Sequence, residues 1–247
     1  MPQEVPLLLF FAALFVVAFL YSSVGHGGAS GYLVLMALFS FTPAVMKPTA
    51  LMLNILVSLI AFIQYYRGGY FNWKLFIPLA LASIPFAFLG AKIHVDASIY
   101  KKILGVLLLL PIVRLSGFKF ASLSTDVKPF VLPLALGIGA VIGLLSGMIG
   151  IGGGIILTPL LLLLHWANAK QSAGISALFI FVNSISGLVG QFQQNTAIDS
   201  FMMQMLGVAF VGGILGAYIG TKRFNNVVLQ RVLALVLLVA AIKLLTV

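Results

Sequence analysis

Two glycine-rich stretches interrupt an otherwise apolar chain, 125 residues apart and in matching surroundings. The first runs Ser22-Ser23-Val24-Gly25-His26-Gly27-Gly28-Ala29-Ser30-Gly31, the second Ser146-Gly147-Met148-Ile149-Gly150-Ile151-Gly152-Gly153-Gly154. Each glycine weakens a helix by about 1 kcal/mol relative to alanine, so the run from Gly150 to Gly154 ends any helix that reaches it. The chain as a whole is 62% hydrophobic and 7% charged over 247 residues. No soluble domain of that length hides so much apolar surface, and the chain reads as an all-α polytopic membrane protein. Within a bilayer, bare backbone is tolerated only where protein or a water-filled cavity satisfies it. Matched breaks in two halves point to a transporter's substrate site.

Polar or glycine-rich junctions divide the apolar runs into ten segments. They are 6–23, 30–41, 47–65, 74–92 and 99–115, then 129–147, 154–165, 171–190, 202–221 and 227–245. A span needs about 20 residues; the second segment of each half has 12, which suits a half-helix or re-entrant piece. The expected architecture is eight full spans plus two short helices, in two repeated halves, residues 1–115 and 129–247, joined by a polar linker over 116–128. Laying Pro48-Thr49-Ala50-Leu51 on Gly174-Ile175-Ser176-Ala177 pairs Ser58 with Ser184, and Gly90-Ala91 matches Gly216-Ala217. Five changes of side per half make the repeats inverted in topology.

Basic residues test that count. If all ten segments change sides, Arg67, Lys74, Arg114, Lys119, Lys128, Lys170, Lys222, Arg223 and Arg231 share one face. Lys47, Lys92, Lys101, Lys102 and Lys243 share the other. Nine against five fits the positive-inside rule better than the eight against six obtained when the short segments do not cross. Either count puts the N-terminus outside. Met1-Pro2-Gln3-Glu4 lacks the basic region of a signal peptide, so Leu7 to Tyr21 reads as a retained membrane segment.

Several function classes drop out. The formal charge of +10 is scattered over short loops, so nucleic-acid binding is not expected. There is no cysteine, which excludes disulfide and thiolate chemistry. His26, His94 and His165 form no ligand cluster, and no carboxylates are paired, so no metal site, cofactor or enzyme activity is expected. The Gly150–Gly154 run lacks the Lys-Ser/Thr of a P-loop and the strand context of a dinucleotide fold. Glu4, Asp96, Asp126 and Asp199 all lie outside the apolar runs, so a carboxylate proton relay is not expected and nothing in the spans repels an anion.

A half-helix starting at a glycine break aims unpaired N–H groups and a positive dipole end at whatever precedes it. That makes an anion site without any basic side chain. Gly28 to Gly31 and Gly152 to Gly154 are the natural donors, and Gly25, Gly27 and Gly150 of the same breaks join the candidate site. Ser22, Ser23, Ser30 and Ser146 add hydroxyls, with Thr158 one turn further in. The alternative is close helix packing, the reading given to Gly212, Gly216 and Gly220, which also offer a face to a homodimer. The third segments carry polar stripes, Asn54, Ser58, Ala61 and Tyr65 in one and Ser176, Asn183, Gly187 and Gly190 in the other. An asparagine in an apolar span either glues helices or faces a polar cavity, which adds Asn54, Ser176 and Asn183 to the candidates. His26 is the one residue read as intramembrane whose side-chain type has an unperturbed pKa near neutrality, as a donor or proton carrier or simply satisfied by backbone; its counterpart is Ile151. Lys47 and Lys170 open the third segments; snorkelling to headgroups is the default reading, bordering an anion pathway the alternative.

The motifs Gly25-His26-Gly27-Gly28, Gly150-Ile151-Gly152-Gly153-Gly154 with Thr158-Pro159, Tyr65-Tyr66-Arg67-Gly68-Gly69 before Trp73, and Ser176 through Asn183-Ser184 to Gly187 recur in order. In these the chain resembles the TauE/SafE sulfite exporter family, also called the toluene sulfonate uptake permease family, over nearly its whole length. The resemblance implies a two-repeat transporter of sulfite, organosulfonates or similar sulfur-containing anions in the cytoplasmic membrane. His26 and Ala29 depart from the pattern of the second break, so the two breaks are not expected to act alike. The combined expectation is a small-anion transporter working by alternating access of its halves, with an anion channel and a non-transporting membrane scaffold as rivals.

Overall fold

The computed structural model describes residues 7–23, 28–115, 127–192 and 200–223, with Leu238 and Ile242. The elements among them are α1 (Leu7–Ser23), α2 (Ala29–Leu38), α3 (Pro43–Arg67), α4 (Trp73–Lys92), α5 (Ala97–Leu115), α6 (Leu132–Ile149), α7 (Gly154–Leu163), α8 (Ala169–Phe192) and α9 (Ser200–Arg223). Residues 116–126 of the linker and, those two residues apart, the tenth segment lie outside the described residues. Of the described helices, Pro43–Arg67, Trp73–Lys92, Leu132–Ile149 and Lys170–Phe192 are long and apolar enough to cross a membrane. Leu7–Ser22, Ala29–Leu38, Gly154–Leu163 and Ser200–Gly216 are shorter apolar helices. The result is a helical, multi-pass membrane protein.

The two ten-residue helices, α2 and α7, open and close alike. Each is preceded by a glycine in the left-handed region, Gly28 (φ 65°) and Gly153 (φ 81°). Each ends with a left-handed residue that is not glycine, Ser40 (φ 59°) or His165 (φ 56°). There the backbone N–H of Ser40 donates to Ala37 and that of Phe41 to Met36; 125 residues on, His165 donates to Leu162 and Trp166 to Leu161. This pair of bonds satisfies the last carbonyls of each helix. The following helices start in step too, Met46 N–H bonding Thr42 and Ser172 N–H bonding Asn168. α3 begins at Pro43 rather than at the expected 47, because a proline at the first helical position has its φ preset and needs no N–H partner.

Contacts fix the helix directions. Phe10 near the start of α1 meets Phe39 and Phe41 just beyond α2, and Tyr21 near the end of α1 meets Ser30 and Gly31. α2 therefore folds back to the end of the molecule where α1 began. α7 does the same to α6, since Lys128 N–H donates to His165 at 2.7 Å and Phe130 meets Trp166. α3 and α8 run antiparallel, with Gly174 against Tyr65 and Tyr70 and Gly187 against Leu51.

Two close parallel pairs complete the bundle. Along α4 and α6, Gly139 sits on the Leu79 carbonyl, Gly143 on that of Ser83, Gly147 on that of Ala87 and Gly90 on that of Leu144. Along α1 and α9, Gly212 and Gly216 sit on the carbonyls of Phe15 and Phe19. Only a residue without Cβ permits such an approach. Thus α1 packs on α9 and α6 packs on α4. Gly212 and Gly216 are occupied within the chain, which closes that part of the face offered to a second copy.

Candidate functional site

Asn54 and Asn183 lie near the midpoints of α3 and α8, where these helices cross. Asn54, Ser58, Asn183 and Ser184 are fully buried, as is Ser146 on α6. Both polar atoms of each asparagine, and the hydroxyls of Ser58, Ser146 and Ser184, have no hydrogen-bond partner. A buried polar group left unpaired costs about 1–3 kcal/mol, so a native protein keeps such a set only for a reason. The glue reading fails here: neither asparagine bonds a neighbouring helix.

The second glycine break meets two of these side chains. Gly152 is left-handed (φ 70°), and a Cβ on it would lie 2.9 Å from Asn54 Nδ2 and 3.1 Å from Ser184 Oγ. Any side chain there would collide with Ile180 and the Asn54 amide and crowd the Ser184 hydroxyl. Gly153 caps α7 and lies against Ile142 and Phe179, while Gly154 lies against Ile180 and, at 3.4 Å, the Ser176 carbonyl. Gly150 caps α6 with φ 87° and lies over the Lys47 backbone. The N–H groups of Ile156 and Leu157 donate to the Gly153 carbonyl at 3.1 and 3.0 Å, so Gly154 and Ile155 carry the N–H groups that open α7. The arrangement offers amide N–H, carboxamide and hydroxyl donors, with no cationic side chain inside the cluster.

Other candidates are already committed. Thr158 Oγ1 bonds Ser176 Oγ at 2.8 Å and donates to the Gly154 carbonyl at 2.9 Å, tying α7 to α8. Ser22 Oγ donates to the Gly213 carbonyl of α9 at 2.6 Å, and Ser30 pairs with Tyr21 at 2.8 Å. Ser23 ends α1, and Gly25, His26 and Gly27 lie outside the described residues. Gly28 faces the ring of Tyr32, whose buried hydroxyl has no partner. Tyr21 and Tyr32 stand where Ser146 and Leu157 stand 125 residues later. Aromatic bulk therefore fills the described side of the first break, whereas small polar residues border the second.

Sequence reasoning passed over Ser58 and Ser184 as site residues, although Ser58 follows Asn54 by one turn and Ser184 adjoins Asn183. Of the two readings of Lys47, snorkelling is the one that its burial disfavours. This lysine is 6% exposed, with Nζ 5.2 Å from the centroid of the Tyr100 ring. Lys170 is exposed and donates to the Tyr70 hydroxyl at 3.0 Å. Among the described residues no group of His, Asp or Glu is placed to hold a metal ion.

The chain's relatives carry transport names. A probable membrane transporter protein of Sinorhizobium fredii, y4hK, is 36% identical over 236 residues, covering 94% of this chain and 96% of its own. A probable membrane transporter protein of Methanocaldococcus jannaschii is 29% identical over 197 residues, covering 74% and 71%. Another from Bacillus subtilis, YjnA, is 28% identical over 242 residues, covering 89% and 92%. No solved structure matches. The profile of the family described as sulfite exporter TauE/SafE matches residues 9–244, and with these relatives it identifies the chain as a member of that family of membrane transporters.

Proposed function

We propose that the protein is a carrier for small oxyanions, sulfite or an organosulfonate first, acting in the cytoplasmic membrane by alternating access. The observation that carries this reading is the set of buried, unpartnered amides and hydroxyls on Asn54 and Ser58 of α3, Asn183 and Ser184 of α8 and Ser146 of α6, with Gly152 lying against Asn54 and Ser184. An oxyanion accepts hydrogen bonds at every oxygen, and charge-assisted bonds to neutral donors offset its dehydration. The start of α7 adds the positive end of its dipole. Gly150, Gly153 and Gly154 hold the second break in place.

Burial of the cluster on all sides favours a carrier in an occluded form over a continuous pore. The helix directions support two inverted repeats: α1 and α6 start at opposite ends, α3 opposes α8, and α2 opposes α7. Such halves rock against each other around a central site.

Purified protein in proteoliposomes is the test. Labelled sulfite uptake should saturate and show counterflow, and sulfite or a sulfonate should raise the melting temperature where sulfate, thiosulfate, taurine and sulfoacetate are compared side by side. Large unitary currents without saturation would replace the carrier by a channel. An absence of flux and of stabilisation by every anion would leave a scaffold.

A further inference from the structure

Lys47 is the one buried cation among the described side chains. Arg67, Lys74, Lys92, Lys102, Lys128 and Lys170 are all exposed, as membrane-flanking charges should be. Lys47 stands in the second turn of α3 with its ammonium over the Tyr100 ring. That ring is itself fixed, because the Tyr100 hydroxyl donates to the Ile149 carbonyl at 2.8 Å. Asp96, the one acidic residue among those described, is exposed on the α4–α5 connection. A ring quadrupole attracts an ammonium but does not neutralise it, and a charge withdrawn from water calls for a counter-charge.

The position supplies a route. A Cβ on Gly150 would lie 3.1 Å from the Lys47 Cα and carbonyl oxygen, so the break packs directly on the α3 backbone at the lysine. Lys47 precedes Asn54 by seven residues, two turns or about 10 Å along the same face of α3. Gly150 precedes Gly152 by two residues, and Gly152 touches Asn54. Helix and break thus run side by side from the lysine to the buried cluster. We propose that Lys47, with Gly150 and the Tyr100 ring, forms an anion-access site through which the oxyanion reaches the Asn54–Ser184 cluster. The proposal rests on the carrier reading and adds to it a cationic side chain that the central site lacks.

Two experiments test it. In proteoliposomes, Lys47→Met should raise the half-saturating sulfite concentration about tenfold or more, the scale of a lost charge-assisted bond. Lys47→Arg, which keeps the charge, should stay within about threefold of the parent. Lys74→Met, at an exposed position, should leave uptake unchanged. Saturable uptake with the same half-saturation in Lys47→Met as in the parent would overturn the access site and leave the carrier reading standing. Absence of saturable uptake in the parent would overturn the carrier reading and this proposal with it. Because the chain has no cysteine, Lys47→Cys carries a unique thiol and keeps the proposal testable if Lys47→Met fails to fold. An anionic, water-soluble methanethiosulfonate should modify that thiol, and sulfoacetate should slow the reaction. A thiol inert to the reagent from both sides of the membrane would mark Lys47 as a sealed packing residue and end the proposal.

Discussion

At the scale of single residues, Asn54 and Asn183 separate stability from transport. A residue that glues helices loses stability when replaced, whereas an unpaired buried amide is a net cost in the folded state. Asn54→Leu, close in volume, is expected to leave thermal stability within about 1 kcal/mol of the parent or to raise it. The same variant should cut sulfite uptake about tenfold or more, since hydrogen bonds to charged groups are the strong ones. Parallel thermal unfolding and flux measurements check this; a large loss of stability would restore the glue reading. Both asparagines stood out in the sequence because an amide in an apolar run has few innocent explanations. Ser58 and Ser184 did not, since a serine in a helix ordinarily bonds its own backbone one turn back. That their hydroxyls are unpartnered is visible only once α3 and α8 are packed. The burial of Lys47 was equally illegible, because it depends on Tyr100 arriving from α5, 53 residues further along the chain.

At the scale of elements, glycine has two separate jobs, and they predict different damage. Gly143 on α6 sits on the Ser83 carbonyl of α4, a backbone atom that cannot yield. Gly143→Leu should therefore destabilise the protein by about 1–3 kcal/mol or more, as overpacking does. Gly216→Leu should do the same to α1 and α9 through the Phe19 carbonyl. Gly137 and Gly207 have nothing within 4 Å of a Cβ position, so alanine there should be neutral or add up to about 1 kcal/mol of helix propensity. A melting series over the four variants checks the contrast, and equal effects at all four sites would reject it. The short helices α2 and α7 were legible because glycine runs punctuate an apolar chain clearly. Their far ends were not, because Ser40 and His165 adopt the left-handed turn that glycine usually signals. The parallel pairing of α4 with α6 and of α1 with α9 was hidden for another reason. Partners from opposite halves are chosen by surface fit in three dimensions, and a pattern of small residues names the face but not its mate.

At the scale of the molecule, the helix directions make a claim about sides that charge alone left weak. Arg67 and Lys74 flank the α3–α4 connection, Lys170 bonds Tyr70 of that connection, and Lys128 bonds the residue that closes α7. These four basic residues therefore share one end of the bundle. Lys47, Tyr100 and Ile149 mark the other end, to which Lys92 and His94 belong through the end of α4. Because basic residues favour the cytoplasm, the first end should face inward. In cells, Lys128→Cys should react with a membrane-impermeant maleimide only after the membrane is opened, and His94→Cys should react from outside. Both positions are exposed, and no native cysteine competes. Exchange of the two results would reverse the protein in the membrane and keep the helix directions relative to one another. Labelling of both positions from one side would contradict the helix directions themselves. It would also remove the mechanical basis of the proposed carrier, in which opposed short helices reaching a shared centre let the proposed anion site open to one side while it stays closed to the other.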